Sequence, residues 1–253
     1  MDAGRPLADW RSAAPYEPLA KCGRHGFAWE WLRRSAAYRR AAESADNGTE
    51  GLSCFGLYRF EPAGLRALDA RPIWRGDADP HVLRAVAAPA RDPCDVFDFA
   101  TLGSLGSYAI GSDGIEHWLW SDGVRQIRLD VVGHSLTQGP VRLHYRIAGF
   151  AGAMAPTTTL ARLVALIRTG RLIPGLFAAE NKATRWALVL RTHDALAAGA
   201  TQRELAEQFF DIGGVPRWRI TAASDRERVR RLVTAARTAA QVDPRHWLDG
   251  RFP

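Results

Sequence analysis

Gly199-Ala200-Thr201-Gln202-Arg203-Glu204-Leu205-Ala206-Glu207-Gln208-Phe209-Phe210 is the stretch on which the reading of this chain turns. Gly199 closes whatever helix precedes it, because glycine accepts the left-handed backbone of a helix stop. Thr201 and Glu204 have the spacing of a capping box, in which each side chain takes the other's backbone N–H. A short helix follows, with Leu205, Ala206 and Phe209 on its inner side. Two helices therefore meet across a two-residue Gly-Ala corner. A longer connection over residues 211–223 holds Gly213, Gly214 and Pro216. A second capping box is expected at Ser224 and Glu227, opening a helix that runs to about residue 241. On a helical wheel Val229, Leu232, Val233, Ala236 and Ala240 share one face. Arg226, Arg230 and Arg237 form a stripe beside it, with Arg228 and Arg231 further round. One side docks on a core while a ridge of arginines projects.

Working outward, residues 181–198 read as a helix with Trp186, Val189, Leu190 and Leu196 as core candidates. Residues 156–170 read as another, burying Leu160, Leu163, Val164 and Ile167 and ending at Gly170. The middle of the chain has the two-residue period of strands. Val96 to Leu102 alternates apolar and polar residues. His117-Trp118-Leu119-Trp120, the turn Ser121-Asp122-Gly123 and the apolar run after it form a hairpin signature. Val141, Leu143, Tyr145 and Ile147 fall on one face of a further strand. Residues 103–114, with four glycines and three serines, read as a loop; they lack the Gly-Lys-Ser/Thr ending of a phosphate loop. Near the N-terminus, residues 27–43 read as one helix with an aromatic stripe and an arginine-rich opposite side. The expected fold class is α+β: a small N-terminal helical domain over residues 1–50, a β-hairpin-rich middle over 51–148 and an all-α C-terminal unit over 149–253.

Composition narrows the function. The formal net charge is +7, and it is segregated: +1 over residues 1–50, −1 over 51–150 and +7 over 151–253. Genomic bias explains why only Lys21 and Lys182 are lysine, but not why the excess is confined to one end. A basic C-terminal region suits a polyanionic partner. Three cysteines without C-x-x-C spacing exclude a disulfide framework and a zinc knuckle. The seven histidines show no H-E-x-x-H or other ligand spacing, no G-x-S-x-G elbow occurs, and no carboxylates cluster for metal-assisted nuclease chemistry. Glu116-His117 and Asp95/Asp98 fall in strand-like runs where structural roles are commoner. The expectation is a cytoplasmic, nucleoid-associated protein without membrane span, cofactor, metal or catalytic residues.

The blocks Leu190-Arg191, Asp194-Ala195-Leu196, Gly199-Ala200-Thr201, Arg203-Glu204-Leu205-Ala206, Trp218-Arg219 and Ser224 with Arg230-Arg231-Leu232 together resemble the RovC-like DNA-binding domain family, over about residues 140–245. Asp9-Trp10-Arg11, Tyr16-Glu17, Phe27-Ala28-Trp29-Glu30-Trp31-Leu32-Arg33-Arg34 and Tyr38-Arg39 resemble a small transcriptional regulator-like domain. The combination is similar to FseA-type activators of integrative conjugative elements and to RovC-type activators of type VI secretion genes. The resemblance implies a helix-turn-helix variant with a lengthened link before its recognition helix, here residues 211–223. It implies double-stranded DNA as partner, held by Arg203, Arg217, Arg219, Arg226, Arg228, Arg230, Arg231 and Arg237. RNA polymerase or a regulatory protein and a second copy of the chain are further expected partners. Relatives carrying the C-terminal domain alone include antiactivators, so a protein-binding module that sequesters another regulator is the alternative.

Overall fold

The computed structural model describes residues 7–44, 51–90, 95–210 and 223–251. Seven α-helices and five strands occur among them, so the α+β class holds. The strands are β1 (Leu83–Pro89), β2 (Gly106–Ile110), β3 (Glu116–Ser121), β4 (Gln126–Gly133) and β5 (Val141–Arg146). They form one sheet in the order β2-β3-β4-β1-β5, with β1 parallel to β4 and the other neighbours antiparallel.

The hairpin expected around Asp122-Gly123 is the β3–β4 pair. Ser121 pairs with Gln126, and the Asp122 carboxylate accepts from the backbone of Val124 and Arg125 (2.9 and 2.7 Å). Gly123 sits at φ +92°, and a Cβ there would meet the Leu68 carbonyl oxygen at 2.2 Å, so only glycine fits the turn. Two neighbouring readings need correction. Val96 to Leu102 is not a strand: Phe97 makes a single bridge to Val141, and Phe99–Leu105 winds into a 3-10 helix. The Asp98 side chain accepts from Ala100 N (2.9 Å), offering the backbone a local alternative to pairing. Residues 103–114 are not all loop, because they contain β2, whose Tyr108 stacks on Trp118 (4.5 Å).

The N-terminal helix is also two rather than one: α1 (Arg24–Leu32) and α2 (Ala36–Ser44). The break falls at residues 33–35, where Arg33 and Arg34 turn inward to Glu30 and the Ser35 hydroxyl accepts from Tyr38 N (3.4 Å). α3 (Met154–Thr169) ends at Gly170, φ +68°, as expected. Its buried face is Thr159, Leu163 and Leu166, while Val164 and Ile167 are 42% and 37% exposed. The phase differs because α3 lies on the sheet: Leu163 and Leu166 join a core with Leu83, Ala85, Trp118, Trp120, Leu129 and Val131.

α4 (Ala183–Ala197), α5 (Gln202–Phe210), α6 (Ala223–Gln241) and the single turn α7 (Arg245–Leu248) follow. Trp186, Val189 and Leu190 are buried as read, and Leu196 is partly so. They share a second core with Phe27, Trp29, Tyr38, Trp74, Ala236 and Trp247. Phe27, Trp186 and Trp247 pack ring to ring at 4.8–5.7 Å, in edge and stacked geometries that add to their area burial. The described part of residues 7–80 thus packs into the C-terminal helices, while α3 belongs with the strands.

Candidate nucleic-acid interface

The corner between α4 and α5 is built as its sequence implies. Gly199 has φ +80°. Thr201 N donates to Glu204 Oε2 (2.7 Å), and Glu204 N donates to Thr201 Oγ1 (3.2 Å), which closes the capping box. The backbone and hydroxyl protons of Thr201 hold the Glu204 carboxyl below its usual range. α5 then docks Leu205 and Ala206 against Val229 and Val233 of α6 and Ala195 of α4, with Trp10 closing the cluster.

α6 buries Val229, Val233, Ala236 and Ala239, and Leu232 packs beside them. Ala240 is exposed and Ala239 takes its place, because the helix runs 19 residues and its inner face drifts round the axis. The second capping box does not form as expected. α6 already begins at Ala223, and Glu227 turns its carboxylate forward to Arg230 Nε and Nη2 (2.9 and 3.1 Å) and towards Arg231 (3.7 Å). The Arg230 hydrogen bonds lead in holding the Glu227 carboxyl below its usual range.

The structure places six of the eight arginines on this unit. Arg203, Arg228, Arg230, Arg231 and Arg237 are exposed, and Arg226 is half-buried. Arg203 pairs with Glu207 one turn on (2.8 Å). Arg228 lies over the Phe210 ring (4.0 Å to its centre) and near Asp225 (3.7 Å). Arg226 and Arg237 pair with no carboxylate among the described residues. Arg217 and Arg219, with most of the 211–223 link, lie outside the described residues. What the surface offers is a row of guanidinium groups on a helix whose other side is locked into a core. Such groups form paired hydrogen bonds to phosphate or to a guanine edge.

Sequence reasoning missed what holds this unit in place. Arg191 of α4 donates from Nε to the Trp10 carbonyl (2.7 Å) and from Nη2 to the Arg11 carbonyl (2.9 Å). Gln208 of α5 donates to the same Arg11 carbonyl (2.7 Å). Deeper in, Arg34 clamps Asp194 through Nε and Nη2 (2.8 and 2.7 Å), and the Tyr16 hydroxyl donates to Asp194 Oδ2 (2.6 Å). Arg34 and Arg33 both also hold Glu30. Burial alone raises the Glu30 pKa, but Arg34 and Arg33 outweigh it and keep the carboxylate ionised. Burial, reinforced by the Asp194 carboxylate, drives the Tyr16 hydroxyl far above its usual range. The only signal for this network was that Tyr16, Glu30, Arg33, Arg34, Arg191 and Asp194 all lie in the blocks that carry the family resemblance.

The two acid–base candidates of the strand region, Glu116 and His117, have structural partners. Glu116 accepts from Trp118 Nε1 (2.8 Å) and Leu136 N (3.1 Å), and His117 Nδ1 meets Asp130 Oδ1 (2.8 Å). A cleft of about 670 Å³, lined in part by Lys21, Arg24, Asp79, Arg162 and Glu180, lies where α1, the sheet and the α3–α4 connection meet. Among the described residues no three His, Cys, Asp or Glu side chains are grouped to hold a metal ion, and no helix is long and apolar enough to cross a membrane.

Comparison with known proteins bears on the same two blocks. Residues 9–53 match the proteobacterial transcriptional regulator-like domain. Residues 148–247 match the DNA-binding domain of a type VI secretion system transcription factor. No curated protein matches the chain. The two matches agree with the resemblance read from the sequence and indicate a transcription factor with a DNA-binding domain, and so DNA as a partner.

Proposed function

We propose that this chain is a sequence-specific, non-enzymatic transcription activator, working on the nucleoid in the cytoplasm, that presents α6 to DNA as the recognition helix of a helix-turn-helix variant. The genes it switches are those of mobile-element transfer or of secretion, in keeping with the match to a type VI secretion transcription factor. The observation that carries the reading is the exposed arginine row on α6, set on a helix pinned by α4, α5 and Trp10. Arg226 and Arg230 lie near the helix N-terminus that a groove-reading helix presents to bases, so they are assigned base contacts. Arg203, Arg228, Arg231 and Arg237 are assigned phosphates, together with Arg217 and Arg219. A second copy of the chain and RNA polymerase complete the proposed set of partners.

Anisotropy titrations of Arg230→Ala against operator and scrambled DNA test the assignment, with promoter fragments from genomic footprinting as operator. A lost base contact costs about 1–3 kcal/mol of discrimination and leaves scrambled DNA bound as before. An unchanged operator-to-scrambled ratio removes α6 from the reading role. One observation favours a second reading, a protein-binding antiactivator. The carboxylates of Glu207 and Glu227 already partner Arg203, Arg230 and Arg231, as on a solvated surface. That reading requires partner capture with no DNA affinity at low salt.

A further inference from the structure

The sheet turns one face to α3. On the other face, at its β1–β5 end, β1 carries Arg84 and β5 carries Arg142, His144 and Arg146, all exposed. Arg84 and Arg146 are direct cross-strand partners. Like charges set opposite each other weaken a strand pair, so this arrangement needs a counter-charge. Among the described residues no carboxylate forms an ion pair with either arginine, although Asp130 Oδ2 and Arg84 Nη2 both approach Gly76. Asp130, next to Arg84 in the same cross-sheet row, has Oδ1 committed to His117 (2.8 Å) and Arg128 (3.1 Å). Asp95 reaches Arg142 (3.3 Å), but no carboxylate among the described residues pairs with Arg84 or Arg146. β5 is an edge strand, so nothing in the sheet covers the far side of Arg146.

This face lies on the same side of the sheet as the helical core. Tyr58 stacks on His117 of that row at 3.4 Å, and Arg128 donates from Nη2 to the Trp74 carbonyl (2.9 Å), while Leu57 and Trp74 belong to the core shared with α4 and α6. The arginines therefore form a basic ledge beside the helical half rather than on the reverse of the molecule. We propose that Arg84 and Arg146 are a second, sequence-independent contact to the DNA backbone, each taking a phosphate. The proposal rests on the DNA-binding reading and adds a contact surface outside the matched DNA-binding domain's helices.

The test is the salt dependence of DNA binding by the full chain. Each phosphate contact contributes about −0.9 to the slope of log K against log salt. Arg84→Gln/Arg146→Gln is expected to flatten the slope by about two and to weaken operator and scrambled DNA alike, roughly tens-fold at 0.1 M salt. Arg146→Gln alone should flatten it by about one, and Arg84→Lys/Arg146→Lys should restore the slope. Thermal melts matching the parent confirm that folding is intact, and the edge-strand single variant stands if the double variant melts early. If the parent binds DNA and the Gln variants keep its slope, the ledge does not touch DNA and an acidic protein surface becomes its occupant. If the folded parent binds no DNA at low salt, the DNA-binding reading falls and the ledge contact with it.

Discussion

Arg33-Arg34 and Arg230-Arg231 are the same dipeptide on two helices of one protein, and they do opposite things. The side chains of the first pair are 4% and 5% exposed, and those of the second are 71% and 67%. Each pair has a glutamate three or four residues earlier, Glu30 and Glu227. The difference is a third party. Asp194 and Tyr16 close over Arg34, so its charge is hydrogen-bonded out of water, whereas among the described residues Arg230 and Arg231 pair with Glu227 alone and stay exposed. An arginine count thus says nothing of role until the partner carboxylates are placed. In the buried pair Arg34 fastens the N-terminal block to α4 and Arg33 holds Glu30 and the Ala63 carbonyl; the exposed pair is available to a ligand.

The sharpest way to break this comparison is to take Asp194 away. Asp194→Asn leaves Arg34 buried with half its counter-charge. Removing one partner of a buried pair typically costs about 3–5 kcal/mol, because the other charge remains desolvated. The expected result is a drop of that order in urea unfolding, with DNA binding lost only as the fold is lost. A cost below about 1 kcal/mol would show that the network is not what joins the N-terminal block to α4.

The two halves of the comparison also differ in what they sense. The buried half responds to pH. His25, on α1 with Glu30, is held by burial at a pKa of about 4, below its ordinary 6.5, although Asp122 and the Val124 backbone act to raise it. A depressed folded-state value means that protonation favours the unfolded chain. Its stabilisation is therefore full above pH 6.5 and is lost as pH falls towards 4. Unfolding curves from pH 7.5 to 4.5 should show a decline of about 1–3 kcal/mol that shrinks in His25→Gln. The depressed carboxyls Glu30 and Asp130 act only at lower pH. Burial lowers His193 as well, so part of the decline remains in the variant; an identical decline would mean that His25 does not contribute.

What the sequence made legible was local. Thr201 and Glu204 are three residues apart, so the capping box and the Gly199 stop could be read without knowing the fold. Asp122-Gly123 likewise declared its hairpin. What was missed depends on distant partners. Tyr16 and Asp194 are 178 residues apart in the chain, and nothing in either neighbourhood names the other. Residues 33–35 looked helical because the break comes from two arginines turning towards Glu30 and Asp194. The α3 phase was misread because its core is the sheet, not the helices that follow it. Of the candidate site, the apolar face of α6 was legible to within one residue, Ala239 for Ala240. Its charge was legible as a stripe but not as pairs, since rotamers decide which arginine Glu227 holds. The basic ledge was hidden for a third reason: charge counted by segment gives −1 across the middle region, while Arg142, His144 and Arg146 alternate onto one face.

The smallest expected effect is the one that most sharpens the contrast between the two pairs. Glu227 competes with any phosphate or base for Arg230 and Arg231. Because the three side chains are exposed, their mutual attraction is screened and worth little to folding. Glu227→Gln should therefore melt within a degree or two of the parent, whereas the equivalent loss at Glu30 leaves Arg33 buried without its carboxylate and Arg34 with Asp194 alone. Freed of the carboxylate, Arg230 and Arg231 should bind DNA a few-fold more tightly, with operator and scrambled duplexes gaining alike, because an added phosphate attraction carries no sequence information. Anisotropy at two salt concentrations decides it. A loss of operator affinity in Glu227→Gln, with scrambled DNA unaffected, would give Glu227 the opposite part: a strut that fixes the Arg230 fork for a base edge. The exposed pair would then be as pre-organised as the buried one, and burial would no longer be what separates them.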